Sequence, residues 1–509
     1  FFLREGFVSG RAAWGPRGAS GPPRAPCLRA PPRAVRAVPV RAQAVGAPGP
    51  EPPASQQAYC PTFEDVSTAH FRIRSGVVRT RCTRSAKLSD MLNMDVYLKH
   101  EWEQATGSFK ERGARNALLS LDEEQKSRGV IAASAGNHAL ALAYHGQALG
   151  IPVTVIMPSI APLTKISKCR ALGARVLLQG DSIADAALAA QAFVDVDGLK
   201  YINGFDDFEI LAGAGSMGLE ILEDVKDVDA VVIPVGGGGL IAGAALAIKT
   251  LRPEVQIIGV EPERCASMSA AMAAGEPVMV QMPGPTLADG LAVPKVGARS
   301  LETLKGKLDR LVQVSERDIS VALLKLVESE KLVQEGAGIA GLAAVLAGRL
   351  PELEGKKVAV ALCGGNIDTS TLGSSIERGL VNEGRLIRFS AVVPDRPGGI
   401  AGLCAVIAEA GASIKHIKHE RAWLQEDSHS VEVEVTCELT GAEMFETLST
   451  AIAERYPCEF KNTSVCFAGT DECPSEPDIA VPEPLKPVTV TTPTKPVVPE
   501  PGLGNTPKG

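Results

Sequence analysis

The amino-acid sequence predicts an α/β fold with parallel sheets, followed by a small α+β domain of ferredoxin-like type. Of its 509 residues, 45% are hydrophobic but only 4% are aromatic, a composition typical of buried parallel strands under covering helices. Between about Pro61 and Leu380, short apolar runs alternate with helical stretches, which indicates parallel sheets built of right-handed crossovers. After Gly384 the pattern changes to strand, helix, strand, strand, helix, which indicates a βαββαβ unit.

The apolar patterns also place individual elements. In the first region we expect strands at residues 129–134, 153–157, 229–235, 256–260 and 357–363. We expect helices there at residues 137–149 and 240–251. In the second region we expect strands at 386–393, at 428–438 and near Phe460, and a further strand that begins at 413–416. We expect one helix there from the 395–399 turn to about residue 410 and another at 442–455.

Composition divides the chain into four segments. The first fifty residues hold eight arginines, no lysine and one acidic residue, Glu5, a bias typical of organelle transit peptides. We therefore interpret residues 1–58 as a leader for a plastid or a mitochondrion; a plain disordered tail on a cytoplasmic protein is the alternative. Residues 59–382 form the α/β domain, residues 383–466 the α+β domain, and the Pro-rich residues 467–509 a disordered tail.

The charge and the cysteine pattern disfavour several classes of protein. A formal net charge of −7 argues against nucleic acid or an anionic membrane as the main partner. Residues 230–248 carry no charge, but Pro234 and four successive glycines among them fit a strand, a loop and a helix better than a membrane span. Eleven scattered cysteines without a Cys-x-x-Cys pair predict reduced thiols, and we expect no metal site.

Two segments place polar groups at the start of a helix. In Thr106-Gly-Ser-Phe-Lys110-Glu-Arg-Gly113, a partly buried Lys110 with a lowered pKa can form an imine with an aldehyde; the alternative is a solvated surface lysine. In Ser134-Ala-Gly-Asn137-His138, backbone N–H groups and the serine hydroxyl can bind a carboxylate, and Asn137 can donate to a ring oxygen. The alternatives are an ordinary Asn helix cap and, for His138, a packing histidine.

Two further segments end strands with glycines. Gly236-Gly-Gly-Gly239-Leu240 lets the backbone wrap round a phosphate at a helix start. Because neither Gly-x-Gly-x-x-Gly nor a Gly-Lys-Ser/Thr P-loop is present, a phosphate without a nucleotide suits this loop. In Cys363-Gly-Gly-Asn366, the thiol can face a ring nitrogen without forcing it to be protonated. The alternatives are a flexible turn and a small residue in a tight turn.

Together and in this order, the four segments resemble the fold-type-II pyridoxal-phosphate family of threonine dehydratases, serine racemases and serine dehydratases. The resemblance covers about residues 82–380 and implies a two-lobed catalytic domain over residues 59–382. It extends through five shorter motifs, at residues 201–204, 218–221, 260–262, 287–290 and 335–337. The unit over residues 383–466, with its 395–399 turn, resembles a single regulatory ACT domain, a pairing typical of catabolic-type threonine ammonia-lyases.

The resemblance implies roles for the matching residues. Lys110 would form the imine with pyridoxal 5'-phosphate and act as the base at the substrate Cα, and Asn137 would bind the ring 3'-oxygen. Cofactor contacts are implied for Phe109, Lys110, Asn137, Gly236, Gly237, Gly238, Gly239, Leu240 and Cys363. Substrate-carboxylate contacts are implied for Ser134, Asn137 and His138, and contacts with a small amino-acid effector for Asp395, Gly398 and Gly399. Glu335 lies near the ring in the family pattern and receives no role.

Departures from the family's racemases favour elimination. Those racemases carry a second, serine base where this chain has Ala135, and alanine cannot return a proton from the opposite face. Their divalent-metal site matches at Glu261, but Ser267 stands where a carboxylate is expected. A neutral ring-nitrogen partner, Cys363, shortens the life of a carbanion so that a β-hydroxyl can leave.

The resemblance therefore predicts a threonine dehydratase that releases 2-oxobutanoate and ammonia, with serine dehydratase activity giving pyruvate. The alternatives are a serine racemase and a catalytically weak amino-acid sensor. The resemblance also implies allosteric control and a homo-oligomer, and it is compatible with either a catabolic role or isoleucine biosynthesis.

Overall fold

A computed structural model describes residues 59–421 and 429–461. The predicted leader over residues 1–58 and the predicted tail over residues 467–509 therefore lie outside the described residues. In the described part of the chain, no helix is long and apolar enough to span a membrane, and its eight cysteines are all free thiols.

The elements of the first 200 residues are, in order, α1 (Phe63–Ile73), β1 (Cys82–Arg84), α2 (Ala86–Leu92), β2 (Asp95–His100), α3 (Lys110–Leu119), α4 (Glu123–Arg128), β3 (Val130–Ala133), α5 (Asn137–Leu149), β4 (Val153–Met157), α6 (Leu163–Ala171), β5 (Arg175–Leu178), α7 (Ile183–Asp197) and β6 (Lys200–Tyr201). The next are α8 (Phe208–Asp224), β7 (Ala230–Pro234), α9 (Gly239–Leu251), β8 (Gln256–Pro262), α10 (Ser267–Ala274), α11 (Ala298–Leu304), β9 (Arg310–Val314), α12 (Glu316–Glu330), α13 (Gly336–Leu346), β10 (Lys357–Leu362) and α14 (Thr369–Asn382). The last are β11 (Leu386–Pro394), α15 (Gly399–Glu409), β12 (Ser413–Glu420), β13 (Ser430–Glu438), α16 (Met444–Ala453) and β14 (Cys458–Lys461).

The α/β region consists of two lobes, each built on its own sheet. The larger lobe has a six-stranded sheet of order β1-β2-β10-β7-β8-β9, parallel except for β1. The smaller lobe has a parallel four-stranded sheet of order β5-β4-β3-β6. Since β3 to β6 lie in sequence between β2 and β7, the smaller lobe is an insertion into the larger one. The predicted two-lobed α/β fold with parallel sheets is confirmed.

The strands at the centre of the larger sheet are buried along their whole length. Every residue of β7 is buried, and in β10 only the first is partly exposed. Such strands appear in the sequence as continuous apolar runs because helices cover both faces of a parallel sheet. For this reason the predicted strands at 229–235 and 357–363 agree with the structure to within one residue at each end.

The C-terminal unit is the expected βαββαβ arrangement. Its antiparallel sheet has the order β12-β13-β11-β14, and α15 and α16 pack on the face of Val431, Val433 and Val435. Strand β12 begins as predicted at Ser413 and continues to Glu420, and α16 spans only Met444–Ala453, two residues less at each end than predicted. Strand β12 is largely exposed at the sheet edge, so its side chains show no regular alternation by which its end could be recognised.

A buried ion-pair network anchors α3 to the rest of the larger lobe. The Arg112 guanidinium donates to both carboxylate oxygens of Glu101 and to both of Glu220, and each of these four N···O distances is 2.7 Å. Lys99 Nζ donates to Glu220 at 2.6 Å and to the carbonyl oxygen of Thr80 at 2.8 Å. Arg112 and Lys99 are fully buried, so two cations and two carboxylates neutralise each other away from water.

We expect Arg112→Met to lower the free energy of unfolding by about 3–5 kcal/mol, because it leaves buried carboxylates without their main cation. Urea denaturation measures the change. The control is Arg81→Ala, which removes an ion pair with Glu103 from an arginine that is 64% exposed and should cost less than about 1 kcal/mol. Equal effects of the two substitutions would contradict the prediction.

Candidate active site

The four segments that the sequence singles out all follow the carboxyl ends of parallel strands. Residues 101–109 connect β2 to α3, residues 134–136 connect β3 to α5, residues 235–238 connect β7 to α9, and residues 363–368 connect β10 to α14. In open α/β sheets this edge is where ligands bind. Direct contacts join the segments: the backbone N–H of Phe109 donates to the carbonyl oxygen of Cys363 at 3.0 Å, and Ser108 pairs with Gly364.

Lys110 is the first residue of α3 and is partly buried between the lobes. Its Nζ donates to the carbonyl oxygen of Gly204 at 2.6 Å and lies 5.0 Å from the centre of the Phe109 ring. Burial lowers the pKa of this amine from 10.5 to about 8, although Cys363 and Glu335 act in the opposite direction. Near neutral pH an appreciable fraction of the lysine is therefore the uncharged nucleophile.

The glycine loop ends β7 and opens α9, whose first residues are Gly239 and Leu240. Gly238 has a φ of +93°, a conformation that other residues rarely adopt. At Gly237 an added Cβ would lie 2.2 Å from the Phe205 ring. The loop that contains Gly204 and Phe205 thus touches both Lys110 and the glycine loop. The N–H groups at the start of α9 form an anion-binding terminus.

Asn137 lies at the start of α5, with both ends of its side-chain amide engaged. Its Nδ2 donates to Glu335 Oε1 at 2.7 Å, and its Oδ1 accepts a hydrogen bond from Asn366 Nδ2 at 2.9 Å. One N–H of Asn137 is left over, because a primary amide has two. Ser134 precedes α5 and its hydroxyl oxygen accepts a hydrogen bond from the Gly136 N–H at 3.3 Å.

The His138 side chain is held as a buried, neutral ring. Its Nε2 lies 3.1 Å from the carbonyl oxygen of Ile202, which makes Nε2 the protonated nitrogen. Burial and the charge of Lys110 lower the pKa of His138 to about 3. The ring therefore serves packing, and the backbone N–H of His138 is the group at the helix start that can bind a carboxylate.

Cys363 ends β10 and is 5% exposed. Its thiol donates to the carbonyl oxygen of Ala361 over 3.5 Å. Burial, together with the negative charges of Glu101 and Glu335, raises the pKa of the thiol well above its usual range, so it stays neutral. A Cβ on the next residue, Gly364, would lie 2.5 Å from Glu335 Oε1, so a larger residue there would displace that carboxyl group.

Glu335 is a site residue to which sequence analysis assigned no role. Burial and the nearby Asp289 raise the pKa of its carboxyl from 4.5 to about 7, while the Asn137 hydrogen bond and Lys165 act in the opposite direction. The carboxyl lines a cavity of about 500 Å³ between the lobes, together with Asn366 and Arg378. The sequence signal was the Glu-Gly-Ala motif itself, but nothing in it revealed the partner on α5.

Five buried polar atoms in or next to the site segments have no hydrogen-bond partner among the described residues. They are Thr106 Oγ1, Ser108 Oγ, His138 Nδ1 and both amide atoms of Gln334, the residue before Glu335. Leaving a buried polar group unpaired costs about 1–3 kcal/mol, so these atoms favour a polar ligand in the site.

Glu261, which matches the divalent-metal site of the family's racemases, forms hydrogen bonds within the chain itself. Its carboxylate accepts hydrogen bonds from the N–H groups of Met268 and Ser269 and from the Ser269 hydroxyl. It thereby caps the start of α10, with Ser267 as the first residue of that helix.

Comparison with known proteins gives a consistent result. A family model described as pyridoxal-phosphate dependent enzyme matches residues 73–364. The L-threonine ammonia-lyase of Thermotoga maritima is 45% identical over 361 residues, which are 71% of this chain and 89% of that protein. The processed form of threonine deaminase isoform 2 from Solanum lycopersicum is 35% identical with a TM-score of 0.60, covering 62% of this chain and 93% of that one. Serine racemase from Dictyostelium discoideum is 32% identical with a TM-score of 0.57, and the match covers 60% of this chain and 99% of that one.

We expect the reaction of Lys110 with an aldehyde to rise with pH with a midpoint near 8 rather than 10.5, because only the uncharged amine attacks. Borohydride trapping of the adduct, followed by peptide mass spectrometry, measures the rate at each pH. Lys110→Arg is the control and should give no adduct at this position. A midpoint near 10.5, the ordinary value, would contradict the prediction.

We expect Glu335→Gln to change how stability depends on pH. The folded-state pKa of Glu335 lies above the ordinary 4.5. The stability that the carboxyl contributes is therefore fully present below about pH 4.5 and is lost as the pH rises through about 7. Relative to the uncharged Glu335→Gln variant, the wild-type protein should lose up to about 3 kcal/mol of unfolding free energy between about pH 4.5 and about pH 8.

Urea denaturation at the two pH values measures this difference. Glu123→Gln, at a side chain that is 90% exposed, is the control and should show no comparable difference. A constant difference for Glu335→Gln across the range would show that the carboxyl titrates in its ordinary range.

Proposed function

The chain belongs to the family of pyridoxal-phosphate dependent enzymes, and from that premise we propose that it is a threonine ammonia-lyase. It converts L-threonine to 2-oxobutanoate and ammonia, and L-serine to pyruvate by the same chemistry. The observation that carries the proposal is Lys110, whose amine has a lowered pKa and lies beside the loop that also contacts the glycine turn. The names of the relatives, threonine ammonia-lyase and threonine deaminase, support the same substrate.

The residues present fit pyridoxal 5'-phosphate. The glycine loop and the start of α9 offer N–H groups to a phosphate, and Lys110 offers an amine to an aldehyde. The remaining N–H of Asn137 can donate to a ring oxygen, and Cys363 provides a neutral partner for a ring nitrogen. The unpaired polar atoms in or next to the site segments add further hydrogen-bonding capacity.

Pyridoxal phosphate, when bound, supplies an aldehyde that holds the substrate amine and a ring that draws electrons from Cα. The N–H groups at the start of α5, with the Ser134 hydroxyl, hold the substrate carboxylate. Lys110 Nζ takes the Cα proton, and the bond from the β-carbon to oxygen breaks. The departing hydroxyl takes up one proton, which balances the one removed from Cα, and leaves as water. The released enamine tautomerises and takes up water, which gives 2-oxobutanoate and ammonia.

Two residues direct the reaction towards elimination. The Cys363 thiol stays neutral because burial raises its pKa, and a neutral partner does not hold negative charge on the ring for long. Ala135 stands beside the carboxylate-binding turn and has no acidic proton, so it cannot serve as a second base that returns a proton to the opposite face. We therefore favour the lyase over a serine racemase. Lys110 argues against a catalytically inactive sensor.

The C-terminal unit, over residues 383–466, would act as a regulatory domain of ACT type. Its sheet and two helices have the expected order, and Gly398, with a φ of +96°, and Gly399 open α15. Asp395 forms an ion pair with Arg421 over 2.7 Å at the same turn. A small amino acid bound there would control the enzyme allosterically, since α14 connects this unit directly to the 363–366 turn.

The remaining parts of the proposal rest on composition and resemblance. We assign the catalytic domain to residues 59–382, an organelle leader to residues 1–58 and a Pro-rich tail to residues 467–509. A homo-oligomer is expected through the ACT-type unit, and a place in isoleucine biosynthesis is one of two metabolic roles that such a lyase can fill.

We expect Lys110→Ala to lose the visible absorption of the bound cofactor and to release 2-oxobutanoate from L-threonine at least about 1,000-fold more slowly, because both the covalent anchor and the base are removed. Absorption spectra and a keto-acid assay measure the two effects. Lys87→Ala is the control, because this lysine is exposed and its amine donates to the carbonyl oxygen of Ser329, on α12.

Chiral analysis of the amino acid that remains after incubation with L-serine separates the lyase from a racemase. D-serine formed faster than pyruvate would overturn the assignment, and an unchanged spectrum in the Lys110→Ala variant would overturn the role of the lysine.

A further inference from the structure

Asn366 makes two hydrogen bonds with a single nitrogen. Its Nδ2 donates to the carbonyl oxygen of Thr106 at 2.7 Å and to Asn137 Oδ1 at 2.9 Å. A primary amide nitrogen carries two hydrogens, so both are used. The surrounding backbone holds the residue in place, since the Gly365 N–H donates to the carbonyl oxygen of Gly107 at 3.0 Å.

These bonds determine which way the amide of Asn137 faces. Because its Oδ1 accepts from Asn366, its Nδ2 must lie on the side of Glu335, to which it donates at 2.7 Å. A half-turn of this amide would bring two NH₂ groups together at Asn366 and two oxygens together at Glu335, leaving buried groups unpaired.

We propose that Asn366 is a positioning residue, which fixes the amide of Asn137 so that an N–H, and not the carbonyl oxygen, is presented to the cofactor ring. The proposal rests on the proposed function, in which Asn137 donates to the ring oxygen of pyridoxal phosphate. The same side chain holds Thr106, four residues before Lys110, and so sets the lysine segment against the ring-binding asparagine.

Glu335 cannot set this orientation unaided. Its carboxyl has a pKa of about 7, so near neutral pH it exists both ionised and protonated. The ionised form can only accept from Asn137, whereas the protonated form has an O–H donor as well as an acceptor and can pair with either orientation of the amide. The charged groups that act on it are Asp289, Lys165 and Lys110, while the buried Cys363 thiol stays neutral. Asn366 does not titrate, and its bond to the Thr106 carbonyl oxygen keeps its nitrogen towards Asn137 at every pH.

The test is Asn366→Ala in the holoenzyme, with cofactor affinity and the visible absorption spectrum measured at about pH 6 and about pH 8, on either side of the Glu335 pKa. At the higher pH the ionised Glu335 still accepts from Asn137, so cofactor affinity should stay within about 3-fold of wild type. At the lower pH the protonated Glu335 can pair with either end of the Asn137 amide, so without Asn366 the amide is no longer held in one orientation, and cofactor affinity should fall by more than about 3-fold. In the double variant with Glu335→Gln, this dependence on pH should disappear.

A second variant, Asn366→Asp, puts acceptors opposite the Thr106 carbonyl oxygen and Asn137 Oδ1. It should turn Asn137 over and weaken cofactor binding at both pH values. The matched control is Asn93→Asp, which makes the same exchange at an exposed residue whose side chain donates to Glu354 and should leave the spectrum unchanged.

The results distinguish a failure of the role assigned to Asn366 from a failure of the proposed function. If Asn366→Ala weakens cofactor binding equally at both pH values, or at neither, Asn366 does not orient Asn137 and the inference is wrong while the proposed function stands. If the wild-type chain takes up no pyridoxal phosphate, the proposed function fails and the inference fails with it.

Discussion

The position of Lys110 depends on the ion pairs that Arg112 makes one half-turn further along α3. The Arg112 guanidinium joins Glu101, which follows β2, to Glu220 on α8, and all three side chains are buried. A charge network of this kind has strict geometry, because any shift leaves an uncompensated charge away from water. Lys110, the first residue of α3, is therefore fixed in position at the carboxyl edge of the larger sheet, where the other site segments also lie.

The fold assembles one site from both lobes. The smaller lobe contributes Asn137 and the carbonyl oxygen of Gly204, and the larger lobe contributes Lys110, the glycine loop and Cys363. Asn366 and Glu335 join these parts by hydrogen bonds to Asn137. Helix α14 then runs from the Asn366 turn to β11, and Lys415 of β12 pairs with Glu377 of that helix over 2.6 Å. The C-terminal unit is thus in physical contact with the element that begins at the site.

The site favours uncharged groups. Burial lowers the pKa values of Lys110 and His138 and raises those of Glu335 and Cys363. Each of the four moves towards its neutral form because burial removes much of the water that would otherwise stabilise its charge. For a reaction that removes a proton from carbon, an uncharged lysine is the useful form, and a neutral thiol does not add charge to the ring. The charges of the bound cofactor and substrate are met mainly by backbone N–H groups at helix starts.

Much of this protein could be predicted from its sequence because the relevant information is local. Buried parallel strands are continuous apolar runs, the glycine turns follow those runs, and the order of the elements indicates parallel sheets and the βαββαβ unit. The division into two lobes was implied by the resemblance. The same local patterns identified Lys110, Asn137, the glycine loop and Cys363 as candidate site residues. By contrast, the partnership of Asn137 with Glu335 and with Asn366 joins residues 198 and 229 positions apart. Hydrogen bonds between distant residues and the loss of water that shifts a pKa depend on the surrounding atoms. Only the tertiary structure could therefore determine the orientation of Asn137 and the direction in which the pKa values of Glu335 and Lys110 shift.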